Sequence, residues 1–173
     1  MINYDKLLSK VTFNDNVLSG PGTDQLGDLL ITLDFMPNKQ GNHSGCAKAA
    51  RYIWDKYKDQ IDHSKPVILQ GHSMFGDICV EFAKICFIHG VKTNFEKIKG
   101  CYPTSNKETS YYYMKGEIEE YGNDPVTSLF SWLYKHPVEI KHVGPKRTKL
   151  GVLKQWFLFP FGNGDHMEYF KDK

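Results

Sequence analysis

No two cysteines in this chain are spaced C-x-x-C; Cys46, Cys79, Cys86 and Cys101 each stand singly. That argues against a zinc site or a thioredoxin-type redox motif and leaves the thiols as free, buried, small hydrophobes. An excess of charge of either sign is equally lacking. There are 22 Lys and Arg against 20 Asp and Glu, a net +2, and the basic residues are scattered. Counterion release would have little to act on, so no nucleic-acid partner is expected. Residues 1–6 lack a basic segment leading into an apolar core, and no strongly apolar run approaches the ~18 residues of a membrane span. A soluble, cytoplasmic protein is the expectation. Repeats and low-complexity tracts are missing too. What is present is the composition of a compact fold, 40% hydrophobic and 14% aromatic over 173 residues, with no break to divide residues 1–173 into more than one domain.

Short apolar runs alternate with amphipathic stretches, the pattern of an α/β protein. Residues 11–13 and 17–18, separated by Asn14, Asp15 and Asn16, read as a hairpin or two strand fragments. Ser19 to Asp24 then read as a loop, because two glycines and a proline continue neither kind of element comfortably. From His43 or Ser44 to about Ile61, apolar residues recur at helical spacing. Pro66 to Gln70 reads as a strand buried on both faces, Met74 to His89 as a helix stopped by Gly90, and Phe95 to Cys101 as the next strand. Residues 65–101 thus make one βαβ unit. Further on, residues 111–114 fit a strand, 117–120 fit strand or helix, and 126–134 fit a turn with a short helix. Residues 138–143 alternate as a strand should, 155–161 read as extended, and 162–165 as a loop leading to His166.

Ser73 lies where the central strand ends and the helix begins, in the run Gly71, His72, Ser73, Met74, Phe75, Gly76. A serine on such a turn is pushed into the open and receives the helix N-terminus, whose N–H groups can stabilise an oxyanion. The spacing is G-x-S-x-x-G, with Phe75 where the usual G-x-S-x-G has its second glycine. A nucleophilic serine needs a base, and the base an acid to orient it. Of seven histidines, His72 adjoins Ser73 on the same turn, His63 and His89 sit in exposed settings, and His136 and His142 flank a strand. His166 follows a glycine-rich loop late in the chain, where the order Ser, Asp, His puts the base. The acids between them are Asp77, Glu81, Glu96, Glu108, Glu117, Glu119, Glu120, Asp124, Glu139 and Asp165. Asp124 is distinguished by a turn, Gly122 to Pro125, that follows a candidate strand and would project from the sheet's carboxyl edge.

These pieces fall in an order that resembles the class 3 lipases, the family of fungal triacylglycerol lipases and related esterases. Gly20 to Asp24, with Asp28 and residues 33–37 behind it, is similar to the family's F-R-G-S/T-D/S oxyanion loop and its sequel. His43 to Cys46 resembles V-H-x-G-F, residues 67–76 resemble the strand and G-H-S-L-G-G turn, and Tyr102 with Pro103 resembles a short proline turn. Residues 123–126 and 142–144 look like N-D-x-V and H-V-G, and residues 165–170 like the terminal H-x-x-Y-F/L. The resemblance implies a minimal α/β-hydrolase fold with a central, mostly parallel sheet flanked by helices. It further implies a Ser73, Asp124, His166 triad, an oxyanion hole from Thr23 and the Met74 N–H, and a lid over residues 25–32. Pro21 stands where the family has arginine and Phe75 where it has glycine, and the chain is much shorter than typical members. A trimmed sheet with a shallow or partner-completed site follows.

The expected activity is hydrolysis of a small-molecule or lipid carboxylic ester through an acyl-enzyme, with no metal or organic cofactor and with room for transient contact with a lipid interface. Apolar Leu26, Leu29, Leu30 and Ile31 favour a hydrophobic acyl chain, although core packing explains them equally well. Two alternatives stay open: a hydrolase-fold binding protein whose site Pro21 and Phe75 have spoiled, and an acyltransferase with the same triad.

Overall fold

A computed structural model describes Tyr4, residues 8–22 and residues 29–158. The chain enters through a hairpin, β1 (Thr12–Asn14) and β2 (Val17–Gly20), paired antiparallel. Asp15 and Asn16 make its two-residue turn with positive φ of 49° and 62°, the geometry Asn and Asp tolerate best among non-glycine residues. After the short α1 (Leu29–Leu33) come α2 (Ser44–Tyr57), β3 (Val67–His72), α3 (Met74–Ile88) and β4 (Thr93–Lys99). A minor ribbon of β5 (Ser105–Asn106) and β7 (Tyr134–Lys135) brackets β6 (Gly116–Tyr121). Then β8 (Glu139–Val143) and α4 (Lys149–Leu158) complete the described chain.

Six strands form one sheet in the order β1-β2-β3-β4-β6-β8, and every pairing after the hairpin is parallel. Parallel neighbours require crossovers, and α2 and α3 supply two of them. The face of α2 that packs against α3 carries Cys46, Ala49, Ala50, Ile53 and Trp54, whose small members let the axes approach. The core is Leu18, Val67, Leu69, Ile98 and Ile118 from the strands and Ile78, Phe82 and Cys86 from α3, all essentially inaccessible. All four cysteines are free and buried. Among the described residues no helix is long and apolar enough to cross a membrane.

Four expectations are corrected. Ser19 and Gly20, expected in the loop, end β2 instead, because they pair in parallel with Gln70 and Gly71 of β3. β3 is not buried on both faces: Val67, Leu69 and Gly71 are buried, while Ile68, Gln70 and His72 alternate as half-buried. The second face of the sheet carries polar pairs instead, Gln70 with Glu96 at 2.7 Å, Lys99 with Glu119 at 3.5 Å, and Lys141 with Glu117 and Glu119 at 3.7 and 3.5 Å. Residues 111–114 form a turn closed by the Met114 N–H on the Tyr111 carbonyl at 2.9 Å, because Tyr111 and Met114 point into the core together. Residues 155–158, expected to be extended, end α4. That helix starts where the Thr148 hydroxyl accepts the Gly151 N–H at 3.0 Å, a cap that outweighs the aromatic composition of its last turn.

Candidate active site

Ser73 is the single residue between β3 and α3, and its backbone sits at φ 51°, ψ −132°. An L-residue held there stores about 1–3 kcal/mol of strain, which the surroundings must impose. Three contacts do so. The Ser73 N–H donates to the Lys99 carbonyl at the end of β4, 2.9 Å away. Its carbonyl accepts from the Asp77 N–H at 3.3 Å, drawing it into α3. Beneath it, Gly71 and Gly76 meet: a Cβ on Gly71 would lie 2.9 Å from the Gly76 nitrogen, and one on Gly76 would lie 3.1 Å from both Cys101 and Ile98. The second glycine of the turn is therefore displaced by one residue and still provides the close approach of helix to sheet.

The displacement sends the Phe75 ring inward. Phe75 is 1% exposed and lies across Gly20, where a Cβ would come within 2.9 Å of three ring carbons. Phenylalanine at this position thus fills a slot opened by a glycine at the end of the neighbouring strand. The loop beyond Gly20 continues against the serine, since a Cβ on Gly22 would stand 3.0 Å from the Ser73 Cβ and 2.9 Å from His72 Nδ1.

Two strands away, beyond β4, the loop after β6 carries Asp124, which is fully buried. Its Oδ1 accepts the Val126 N–H at 2.9 Å and its carbonyl accepts the Thr127 hydroxyl at 3.0 Å. Ser73 and Asp124 both follow carboxyl ends of parallel strands, the edge where open α/β sheets place their sites.

No family model and no characterised protein sequence matches this chain. Solved structures do. A fungal lipase in an inhibitor complex, described as a model for interfacial activation, superposes with a TM-score of 0.53 at 16% identity, over 70% of this chain and 55% of that one. The Rhizomucor miehei lipase propeptide complex gives 0.53 at 15%, over 77% and 51%. A nonglycosylated Yarrowia lipolytica lipase gives 0.54 at 14%, over 73% and 56%. This chain has an α/β-hydrolase-like fold. It spans little more than half the length of the lipases it matches.

In this α/β-hydrolase-like chain, Ser73, Met74 and Asp124 lie at one edge of the sheet, with Met74 opening α3. Thr23 and His166 lie outside the described residues, as do residues 25–28 of the expected lid and the segment 165–170. The lid's remainder falls in α1, where Ile31 is fully buried and a Cβ on Gly45 would strike its carbonyl at 2.0 Å. Ile31 is thus core. Leu33 and Met36, just beyond, are 58% and 63% exposed.

The five other histidines lie away from the Ser73 turn or are held by other contacts. His43 caps α2, with Nδ1 accepting the Cys46 N–H at 3.3 Å, and burial among Tyr102, Phe130 and Tyr134 lowers its pKa to about 4. His136 is lowered to about 4, again by burial. His142 Nδ1 sits 3.4 Å from Glu120, His89 stacks on Trp54 at 4.4 Å, and His63 is exposed. Among the described residues no cluster of His, Cys, Asp or Glu is arranged to hold a metal ion.

Two features of the site are absent from the sequence reading. Glu120, buried at the end of β6, receives Arg147 Nη1 at 3.0 Å, and the same guanidinium donates to Thr127 at 2.7 Å and to Ser128. Burial still holds the Glu120 carboxyl above its usual range. Arg147 therefore staples the Asp124 loop to the start of α4, an arrangement signalled only by its being one of two arginines in the chain. One turn into α3, Asp77 is wholly buried, faced by the Cys101 thiol and the Tyr102 N–H, and burial drives its pKa well up.

Proposed function

We propose that this protein is a carboxylic ester hydrolase of the lipase and esterase type. The observation that carries the proposal is the strained backbone of Ser73 between β3 and α3, because a serine held at φ 51° by glycines on both sides is what a nucleophile elbow requires. The acid-bearing loop two strands away and the structural likeness to lipases support it.

In the proposed cycle, His166 takes the Ser73 hydroxyl proton as Oγ bonds to the ester carbonyl carbon, and Asp124 holds the imidazole and stabilises its charged form. The tetrahedral oxyanion is met by the Met74 N–H at the start of α3 and by Thr23, the residue after Gly22. Collapse expels the alcohol with the proton from His166 and leaves an acyl-Ser73. Water, activated by the same base, then releases the acid. No metal or organic cofactor enters. Leu33, Met36 and Trp132, all exposed, give such an enzyme apolar surface for transient contact with a lipid interface, and the cytoplasmic setting belongs to the same proposal.

The test is turnover of p-nitrophenyl esters of graded acyl length by native protein and by Ser73→Ala, Asp124→Asn and His166→Ala. Activity in the native protein that falls by at least about 10³-fold in each variant is the expected result. Folded native protein without activity supports a binding protein on the same fold, and activity that survives Asp124→Asn and His166→Ala refutes the triad.

A further inference from the structure

The edge of the sheet remote from Ser73 holds a cavity of about 530 Å3, at the amino-terminal ends of β3, β4 and β6. Six residues of β3 separate the two edges, roughly 20 Å at the rise of a parallel strand. The cavity lies within the usual size range of small-molecule sites, and besides Pro66, Gly90, Val91, Thr93 and Asn94 its wall holds an aromatic pair and two lysines. Phe87, the last aromatic residue of α3, stacks on Tyr113 with ring centroids 3.8 Å apart and planes 6° apart. Phe87 nevertheless remains 44% exposed, so the stacked pair presents apolar surface to the opening. Lys92 and Lys115 also line the cavity, both exposed, and among the described residues neither has an ion-pair or side-chain hydrogen-bond partner. Among the described residues no carboxylate lines it.

Two uncompensated cations over an apolar, aromatic wall are complementary to one kind of ligand. Neutral apolar molecules would gain nothing from the positive potential of the two ammonium groups, and small hydrophilic anions would leave the rings unused. We propose that this cavity binds a monocarboxylate carried on an apolar body, with the body against Phe87 and Tyr113 and the carboxylate at Lys92 and Lys115. The site needs neither Ser73 nor His166 and stands whether or not the chain is a hydrolase.

Calorimetric titration of the full chain with 4-phenylbutyrate tests this, using 4-phenylbutan-1-ol as the neutral twin. Saturable binding with a Kd on the order of 1 mM or tighter is expected for so small a probe, and at least about tenfold weaker binding of the alcohol. Lys92→Glu with Lys115→Glu, at two exposed positions, should weaken the acid at least about tenfold and leave the alcohol unchanged. Phe87→Ala should weaken both, and Ser73→Ala neither. Absence of saturable binding up to about 10 mM overturns the proposal. So do equal affinities for acid and alcohol, binding that survives the double lysine variant, or binding lost in Ser73→Ala, which would move the probe to the other edge of the sheet.

Discussion

Phe75 is the residue that separates an intact turn from a spoiled one, and its ring can be tested as a packing element. It is 1% exposed and fits the slot over Gly20, so Phe75→Ala should cost about 3–5 kcal/mol in transfer and cavity terms. Gly20→Ala pushes a methyl to within 2.9 Å of three ring carbons and should cost about 1–3 kcal/mol by overpacking. The two effects are not independent. Without the ring the added methyl enters vacated space, so the double variant should cost no more than Phe75→Ala alone, a coupling of about 1 kcal/mol or more. Urea unfolding of the four proteins at constant m-value measures the cycle, and melting should fall by roughly 6–20 °C for Phe75→Ala in a chain of this size. Additivity within about 0.5 kcal/mol, or a cost below about 1 kcal/mol for Phe75→Ala, would show that the ring does not fill the slot.

Other consequences follow from the same geometry. Ser73→Gly releases an L-residue from φ 51°, ψ −132°, and should raise stability by about 0.5–2 kcal/mol in urea unfolding once glycine's extra chain entropy is deducted; Ser73→Ala, still strained, should not. Asp77 has a folded-state pKa well above its unfolded value, so its contribution is greatest below the usual carboxylate range and is lost as pH rises through the folded pKa. Asp77→Asn should therefore have a higher urea midpoint than the native protein at pH 7, with the gap closing towards about pH 4; a gap independent of pH would contradict the burial of a titrating carboxyl. His43 and His136 are lowered to about 4, so their contribution is present above about 6.5 and lost as pH falls towards 4. Imidazole NMR titrations should show both neutral at pH 6, and a midpoint near 6.5 for either would place that ring in water.

The βαβ centre is legible in the sequence because each part is a local signal: the apolar run Val67, Ile68, Leu69, the small residues around Ser73, and the periodic apolar face of α3 stopped at Gly90 with φ 73°. α2 is legible for the same reason, ending at Tyr57 with Ile61 buried beyond it. What escapes local pattern depends on partners far along the chain. The run 67–69 looks the same whether one face or both are covered, so the polar second face of the sheet is invisible in it. Gln155, Trp156 and Phe157 carry no helical period strong enough to reveal α4, whose start is fixed by Thr148 and by Asn123 accepting the Thr148 N–H at 2.8 Å. The slot for Phe75 lies at Gly20, on another strand, and Glu120 meets an arginine 27 residues later.

The proposed hydrolysis requires Ser73 to be an activated nucleophile. Intact-mass analysis after treating native protein with a fluorophosphonate, followed by peptide mapping, tests it most directly. A single phosphonyl adduct on Ser73, absent from Ser73→Ala and from unfolded protein, is the expected result. A folded native protein that stays unlabelled at Ser73, or that is labelled equally well after unfolding, would contradict it.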